Sequence, residues 1–136
     1  MVHTRFHGPG PDAAFEAGLA EGAFRIQRCA SCGVHVHYPR ALCPDCGSAE
    51  LDTVRASGEG TVHATSVVRV RPGHGEDYNI ALVDLAEGPR MMTRVVDIAP
   101  DAVRIGDAVT AFVGEIEGDR VVLFRPATAP ASGDVR

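Results

Sequence analysis

Tryptophan and lysine are absent from the chain, aromatic residues amount to five Phe and two Tyr, and no long hydrophobic run occurs. With so few rings the core has to be largely aliphatic. Apolar runs such as Ile80–Val83 and Val121–Phe124 are far shorter than the roughly 18 residues of a membrane-spanning helix, so no span is expected. Residues 1–7, MVHTRFH, lack the apolar stretch and small-residue cleavage site of a secretory signal, and a cytoplasmic protein without membrane contact is expected. The absence of lysine, which leaves all thirteen basic residues as Arg, follows genome composition and carries no functional reading. Catalytic signatures are missing too: there is no Gly-x-Ser-x-Gly elbow, P-loop, dinucleotide fingerprint or His-Glu-x-x-His helix. The only candidate general bases are His63 and His74, and neither has a recognisable partner in sequence. Carboxylate pairs such as Asp84 with Glu87, or Glu115 with Glu117, flank turn signals and read as solvated charges.

Against these absences stand four cysteines in two matched motifs, Cys29-Ala30-Ser31-Cys32-Gly33 and Cys43-Pro44-Asp45-Cys46-Gly47. Two residues between thiolates let one tight turn aim both sulfurs at the same ion at about 2.3 Å, and two such turns complete a tetrahedron. A closed shell of four thiolates leaves no position for water or substrate, so Cys29, Cys32, Cys43 and Cys46 are the expected ligands of a structural zinc. A redox dithiol would need only one motif, near a βαβ pattern that is lacking here, and a cytosolic chain disfavours two disulfides. Iron suits the same four sulfurs and stays open beside zinc. His35 and His37, between the knuckles, are read as packing or surface residues because four thiolates already saturate the ion.

Around this site the pattern predicts a mainly β protein. Pro11 to Glu21 reads as a short helix, with Pro and Asp12 at its start, Phe15 and Leu19 one turn apart, and Gly22 at C′. Its apolar stripe must dock either on the chain's own body or on a partner subunit. Ala23 to Arg28 alternates as a strand leading into the first knuckle. Further strands are expected at residues 52–57, 61–71, 78–85, 90–97, 108–117 and 120–125, with a hairpin connection within 82–90 and another at Glu117-Gly118-Asp119. In the second of these strands Val62, Ala64, Val68 and Val70 are expected on the buried face and His63, Thr65, Arg69 and Arg71 on the wet one. Short antiparallel strands within about 75 residues suit a small OB-type barrel, in which closure removes the sheet edges. The expected organisation is a helix over 11–22, a zinc ribbon over 23–50, an OB-fold domain over 51–126, and flexible tails at 1–10 and 127–136.

The charge argues against nucleic acid. The net charge is −5, and residues 51–136 hold nine Arg against thirteen Asp plus Glu. A nucleic-acid module built on a ribbon and an OB barrel, the alternative of another class, would carry a basic stripe and stacking aromatics.

Helix, four-cysteine ribbon and small barrel, in that order, resemble a family of zinc-ribbon/OB-fold proteins associated with acyl-CoA metabolism. The resemblance spans nearly all of residues 12–126. It is carried by Arg28-Cys29-Ala30-Ser31-Cys32-Gly33, by the run from His37-Tyr38-Pro39-Arg40 through Cys46-Gly47-Ser48, and by Ser57-Gly58-Glu59-Gly60-Thr61-Val62. Ala81-Leu82-Val83-Asp84-Leu85-Ala86-Glu87-Gly88 and the segment from Asp101 through Gly106-Asp107-Ala108-Val109 complete it. It implies a rubredoxin-like ribbon and a small non-catalytic accessory subunit of thiolase type, without intrinsic turnover. Such a subunit would stabilise a thiolase-like or other acyl-CoA enzyme (a hydratase or aldolase being the alternative) in a hetero-oligomer. A CoA ester would then be met through the partner, and Arg40 is a candidate contact to a CoA phosphate or a partner carboxylate, beside its plainer reading as a surface Arg. The chain departs from the family pattern at Asp77-Tyr78-Asn79, where a proline is usual before the aromatic, and at Pro39, where two prolines are common. Both departures are expected to fall in loops.

Overall fold

The computed structural model describes residues 10–127, so the tails expected at either end lie outside the described residues apart from Gly10 and Ala127. The chain divides into two compact units between Ala56 and Ser57.

In the first unit, helix α1 (Pro11–Ala20) is followed by strands β1 (Arg25–Cys29), β2 (His35–Val36) and β3 (Leu51–Arg55), which form an antiparallel sheet in the order β2-β1-β3. The helix stops where the sequence signals. Gly22 at φ 80° donates its N–H to Leu19 and the Ala23 N–H reaches Gly18, the pair of bonds that closes a helix C-terminus. Ten residues would be marginal as an isolated helix, so its stability comes from packing. Leu19 is buried, and the Phe15 ring lies 5.2 Å from that of His37, so the stripe docks on the chain's own ribbon. Gly18 is buried because the Arg25 side chain and the Ala23 carbonyl approach it closely. The strand expected at 52–57 runs from Leu51 to Arg55 and pairs with β1 rather than with the barrel strands.

The second unit is a curled five-stranded antiparallel sheet in the order β6-β5-β4-β7-β8, formed by β4 (Glu59–Val68), β5 (Tyr78–Leu85), β6 (Arg90–Thr93), β7 (Ala108–Ile116) and β8 (Asp119–Pro126). The strand expected to run to Asp97 ends at Thr93. Residues 94–96 then swing onto β8, where Val95 bridges Phe124, the Phe124 N–H donates to Arg94, and the Val96 N–H donates to Phe124. This contact draws the two ends of the sheet together and makes the fold an OB-type half-barrel, as expected. The core is aliphatic around one ring: Val62, Ala81, Val83, Leu85, Val109, Val122 and Leu123 are buried, and Phe124 is 0% exposed.

Alternation along β4 differs from the expectation, and the strand ends at Val68 rather than Arg71. A register shift lies between Val62, opposite Val83, and Ala64, opposite Leu82. The extra residue, His63, reverses parity, so Thr65 and Val67 rather than Ala64 and Val68 stand opposite buried Ala81 and Asn79. Gly60 lies where a side chain cannot: a Cβ there would sit 2.5 Å from Val83 Cγ1. The β7–β8 hairpin turns on Glu117 and Gly118, both at positive φ, with Ile116 opposite Asp119, in the two-residue form that matches strand twist.

Candidate metal centre

The two knuckles repeat each other with an offset of fourteen residues. The Gly33 N–H donates to the Cys29 carbonyl at 2.8 Å and the Gly47 N–H to the Cys43 carbonyl at 2.9 Å; then the Cys29 N–H donates to Val34, as the Cys43 N–H does to Ser48. Gly33 and Gly47 share a left-handed φ of 82° and 78°, a conformation that costs glycine no side-chain clash, which gives the residue after each Cys-x-x-Cys its reason. Backbone N–H groups also point at sulfur: Cys32 to Cys29 Sγ and Asp45 to Cys43 Sγ, both at 3.4 Å.

These turns bring all four sulfurs within 4.8 Å of one another, with Cys29 and Cys46 3.6 Å apart and Cys32 and Cys43 3.7 Å apart. A tetrahedral shell with metal–sulfur bonds of about 2.3 Å requires sulfurs about 3.8 Å apart, whereas a disulfide requires about 2.05 Å. The arrangement fits a metal and not a pair of disulfides. Its electrostatics agree. The Cys29 thiol is lowered to about 6, chiefly by the Cys32 backbone N–H. The Cys46 thiol is pushed up to about 12: the Ser48 N–H pulls it down, but the neighbouring Cys29 thiol, burial and the other two thiols outweigh this. Four thiolates at this spacing repel one another, and a divalent cation at their centre removes that repulsion. When bound, it supplies a fixed tetrahedral node and no open coordination position.

Among the described residues this is the one grouping of three or more His, Cys, Asp or Glu side chains with metal-binding geometry. His35 lies in β2 outside it. His37 is a packing residue. Its ring sits among Phe15, Phe24 and Tyr38, with centroids 5.2, 6.0 and 4.6 Å away, and burial lowers its pKa to about 4. His74 is exposed in a turn. His63 does have a partner that the sequence did not reveal, Asp84, but the Nδ1 to Oδ2 distance of 3.6 Å is too long for the hydrogen bond that orients a general base. Asp84 is bound instead to Arg90, whose guanidinium is the main reason its carboxyl is held below the usual carboxylate range.

Glu87 is a correction. Rather than a solvated charge, its Oε2 accepts the Ser57 N–H at 2.6 Å, and its Oε1 is buried without a partner among the described residues. The departure at 77–79 is a second correction, because only Asp77 lies in the loop. Its carboxylate takes the Val70 N–H and the Arg69 guanidinium, while Tyr78 and Asn79 open β5. Asn79 is 2% exposed, donates to Thr65 Oγ1 and accepts the Val95 N–H. A buried polar hub inside a strand leaves no periodic signal in sequence.

Comparison with known proteins gives this geometry a lineage. The family profile described as the ChsH2 rubredoxin-like zinc ribbon domain matches residues 17–52, and that of the ChsH2 C-terminal OB-fold domain matches residues 53–113. A DUF35 domain-containing scaffold protein of Methanothermobacter thermautotrophicus is 34% identical over 113 residues, covering 74% of this chain and 84% of the relative. The chain belongs to the ChsH2 (DUF35) family. Another relative, a probable enoyl-CoA hydratase alpha subunit of Thermomonospora curvata, is 42% identical over 105 residues, covering 75% of this chain. The ChsH2-family chain matches only 33% of that relative's length. A chain of the solved Ltp2-ChsH2(DUF35) aldolase superposes with a TM-score of 0.76 at 36% identity, covering 91% of this chain and all of that one. Among the described residues no helix is long and apolar enough to cross a membrane.

Proposed function

We propose that this chain is a non-catalytic scaffold subunit of an acyl-CoA enzyme, with one structural zinc held by Cys29, Cys32, Cys43 and Cys46, working in the cytoplasm as part of a hetero-oligomer. The observation that carries the reading is the match, over 91% of this chain, to a chain of the Ltp2-ChsH2(DUF35) aldolase. One feature of the chain supports the zinc: the four cysteine sulfurs lie within 4.8 Å of one another, a set that would fill a tetrahedral shell and leave no open position. A thiolase-type enzyme is the first partner to test, on the strength of the motif resemblance. The names of the relatives favour a second reading, an aldolase or hydratase partner. A CoA ester is met in the partner's site, with this subunit beside it.

Coexpression of the chain with thiolase, aldolase and hydratase subunits of its own organism tests the proposal. The expected result is a stable complex with one of them, higher activity of that enzyme, and no turnover by the isolated chain on a panel of acyl-CoA esters. Turnover by the isolated chain, or failure to bind any of the three, overturns it.

A further inference from the structure

The ribbon presents a half-exposed apolar surface on the loop between the knuckles, where one face of Tyr38 packs on His37. Of its large apolar side chains, Tyr38 and Leu42 are each 50% exposed, four positions apart in the loop between the knuckles, with exposed Arg40 between them. Exposed Tyr, Leu and Arg on one short loop would be unremarkable if the loop were loose, but it is pinned. The Gln27 side chain on β1 brackets the Arg40 backbone, with Nε2 donating to the carbonyl and Oε1 accepting the N–H, both at 2.8 Å. On one side His37 is packed under Phe15 and Phe24, and on the other Cys43 enters the metal cluster. A loop fixed in this way loses little conformational freedom on binding, the main cost that a flexible loop pays.

The charge says what it meets. From Cys29 to Pro44 the only charged residue is Arg40, and its guanidinium has no hydrogen bond or ion pair among the described residues. A phosphate-binding site recruits several cations, whereas one guanidinium between two apolar side chains complements a single carboxylate set among apolar sockets. We infer that residues 38–42 are the ribbon's docking surface for a protein partner, with Tyr38 and Leu42 entering apolar sockets and Arg40 pairing with a partner Asp or Glu. The inference rests on the scaffold reading above and names the part of the ribbon through which it acts.

The test uses the full-length, zinc-loaded chain and the acyl-CoA enzyme that it binds, with affinity measured by calorimetry. Leu42→Asp is expected to weaken binding about 30-fold or more and Arg40→Glu about tenfold, the losses typical of interface anchors. Arg71→Glu, on an exposed arginine of the barrel unit, is expected to leave affinity unchanged. Zinc content and melting temperature, equal to wild type, show that each variant is folded. Leu42 precedes a ligand cysteine, so if Leu42→Asp fails to load zinc, Arg40→Glu decides alone. Wild-type affinity in folded Arg40→Glu overturns the inference while leaving the scaffold reading intact. So does equal weakening by Arg71→Glu, or a loss of CoA binding by the assembled complex with no loss of assembly, since the cation would then serve a phosphate. A wild-type chain that binds none of the candidate enzymes overturns both.

Discussion

In the ribbon, residues 10–56, a ten-residue helix and strands of five, two and five residues enclose a core of Leu19, Ala23, Phe24, Ile26, Val36 and two cysteines. In the barrel, strands of up to ten residues surround a continuous set of buried Val, Leu, Ala and Met side chains centred on Phe124. Units below about 40 residues seldom bury enough apolar surface to fold without a metal or disulfide, and the ribbon lies near that limit. The barrel has an interior of its own. Order therefore rests on a point in one unit and is spread over a surface in the other, and perturbations should separate the two.

The largest separation is expected on removing the metal. Structural zinc contributes about 10–16 kcal/mol of apparent binding free energy in small ribbons, all of it coupled to folding. Chelation or Cys43→Ser should leave residues 29–46 unprotected in hydrogen exchange while amides of β4, β5 and β8 stay protected. Loss of protection in both units at once would show that the barrel depends on the ribbon, and would end the comparison. Elemental analysis of the same preparation decides between zinc and iron. The reverse experiment is Phe124→Ala. Removing the ring that the barrel surrounds should cost about 3–5 kcal/mol. Urea unfolding should show the barrel transition moving while zinc content stays stoichiometric.

A smaller effect is expected at Asn79. Its amide joins β4 to residues 94–96, so Asn79→Ala leaves the buried Val95 N–H and Thr65 hydroxyl without that partner, at a cost of about 1–3 kcal/mol. A loss below about 0.5 kcal/mol in the barrel transition would show that closure at Val95 rests on apolar packing instead. The sequence offers no sign of this hub, because polar contacts between distant segments have no period. Nor does it show the bulge at His63, where one added residue turned Thr65 inward and Ala64 away. What was legible had local causes. Each knuckle is a turn fixed by its own Cys-x-x-Cys-Gly, the helix end by Gly22, and the β7–β8 hairpin by Glu117-Gly118. The strand at Leu51–Arg55 was visible as a strand, but its pairing with β1 was not, since alternation shows a face and not a neighbour.

The smallest expected effect is a pH dependence confined to the ribbon. Burial lowers the His37 pKa to about 4, against an ordinary value of 6.5, and its Nδ1 has no hydrogen-bond partner among the described residues. Above 6.5 the ring is neutral in folded and unfolded chains, so its packing contribution is fully present. As pH falls from 6.5 the unfolded chain takes up a proton that the folded chain refuses until about 4, and stability declines across that window. The loss is on the order of 1–2 kcal/mol, below the full conversion of the shift because the ring is partly exposed. His37→Phe keeps a ring among Phe15, Phe24 and Tyr38 and removes the proton. Protonation of the cluster thiolates weakens the ribbon in both forms as pH falls, so it cancels in the difference between them. The variant should match wild type above about pH 7 and gain on it steadily down to about 4. A difference that stays flat from pH 7 to 4, or an NMR titration placing His37 near 6.5, would mean that the ring is solvated, and the packing that joins α1 to the ribbon would need another explanation.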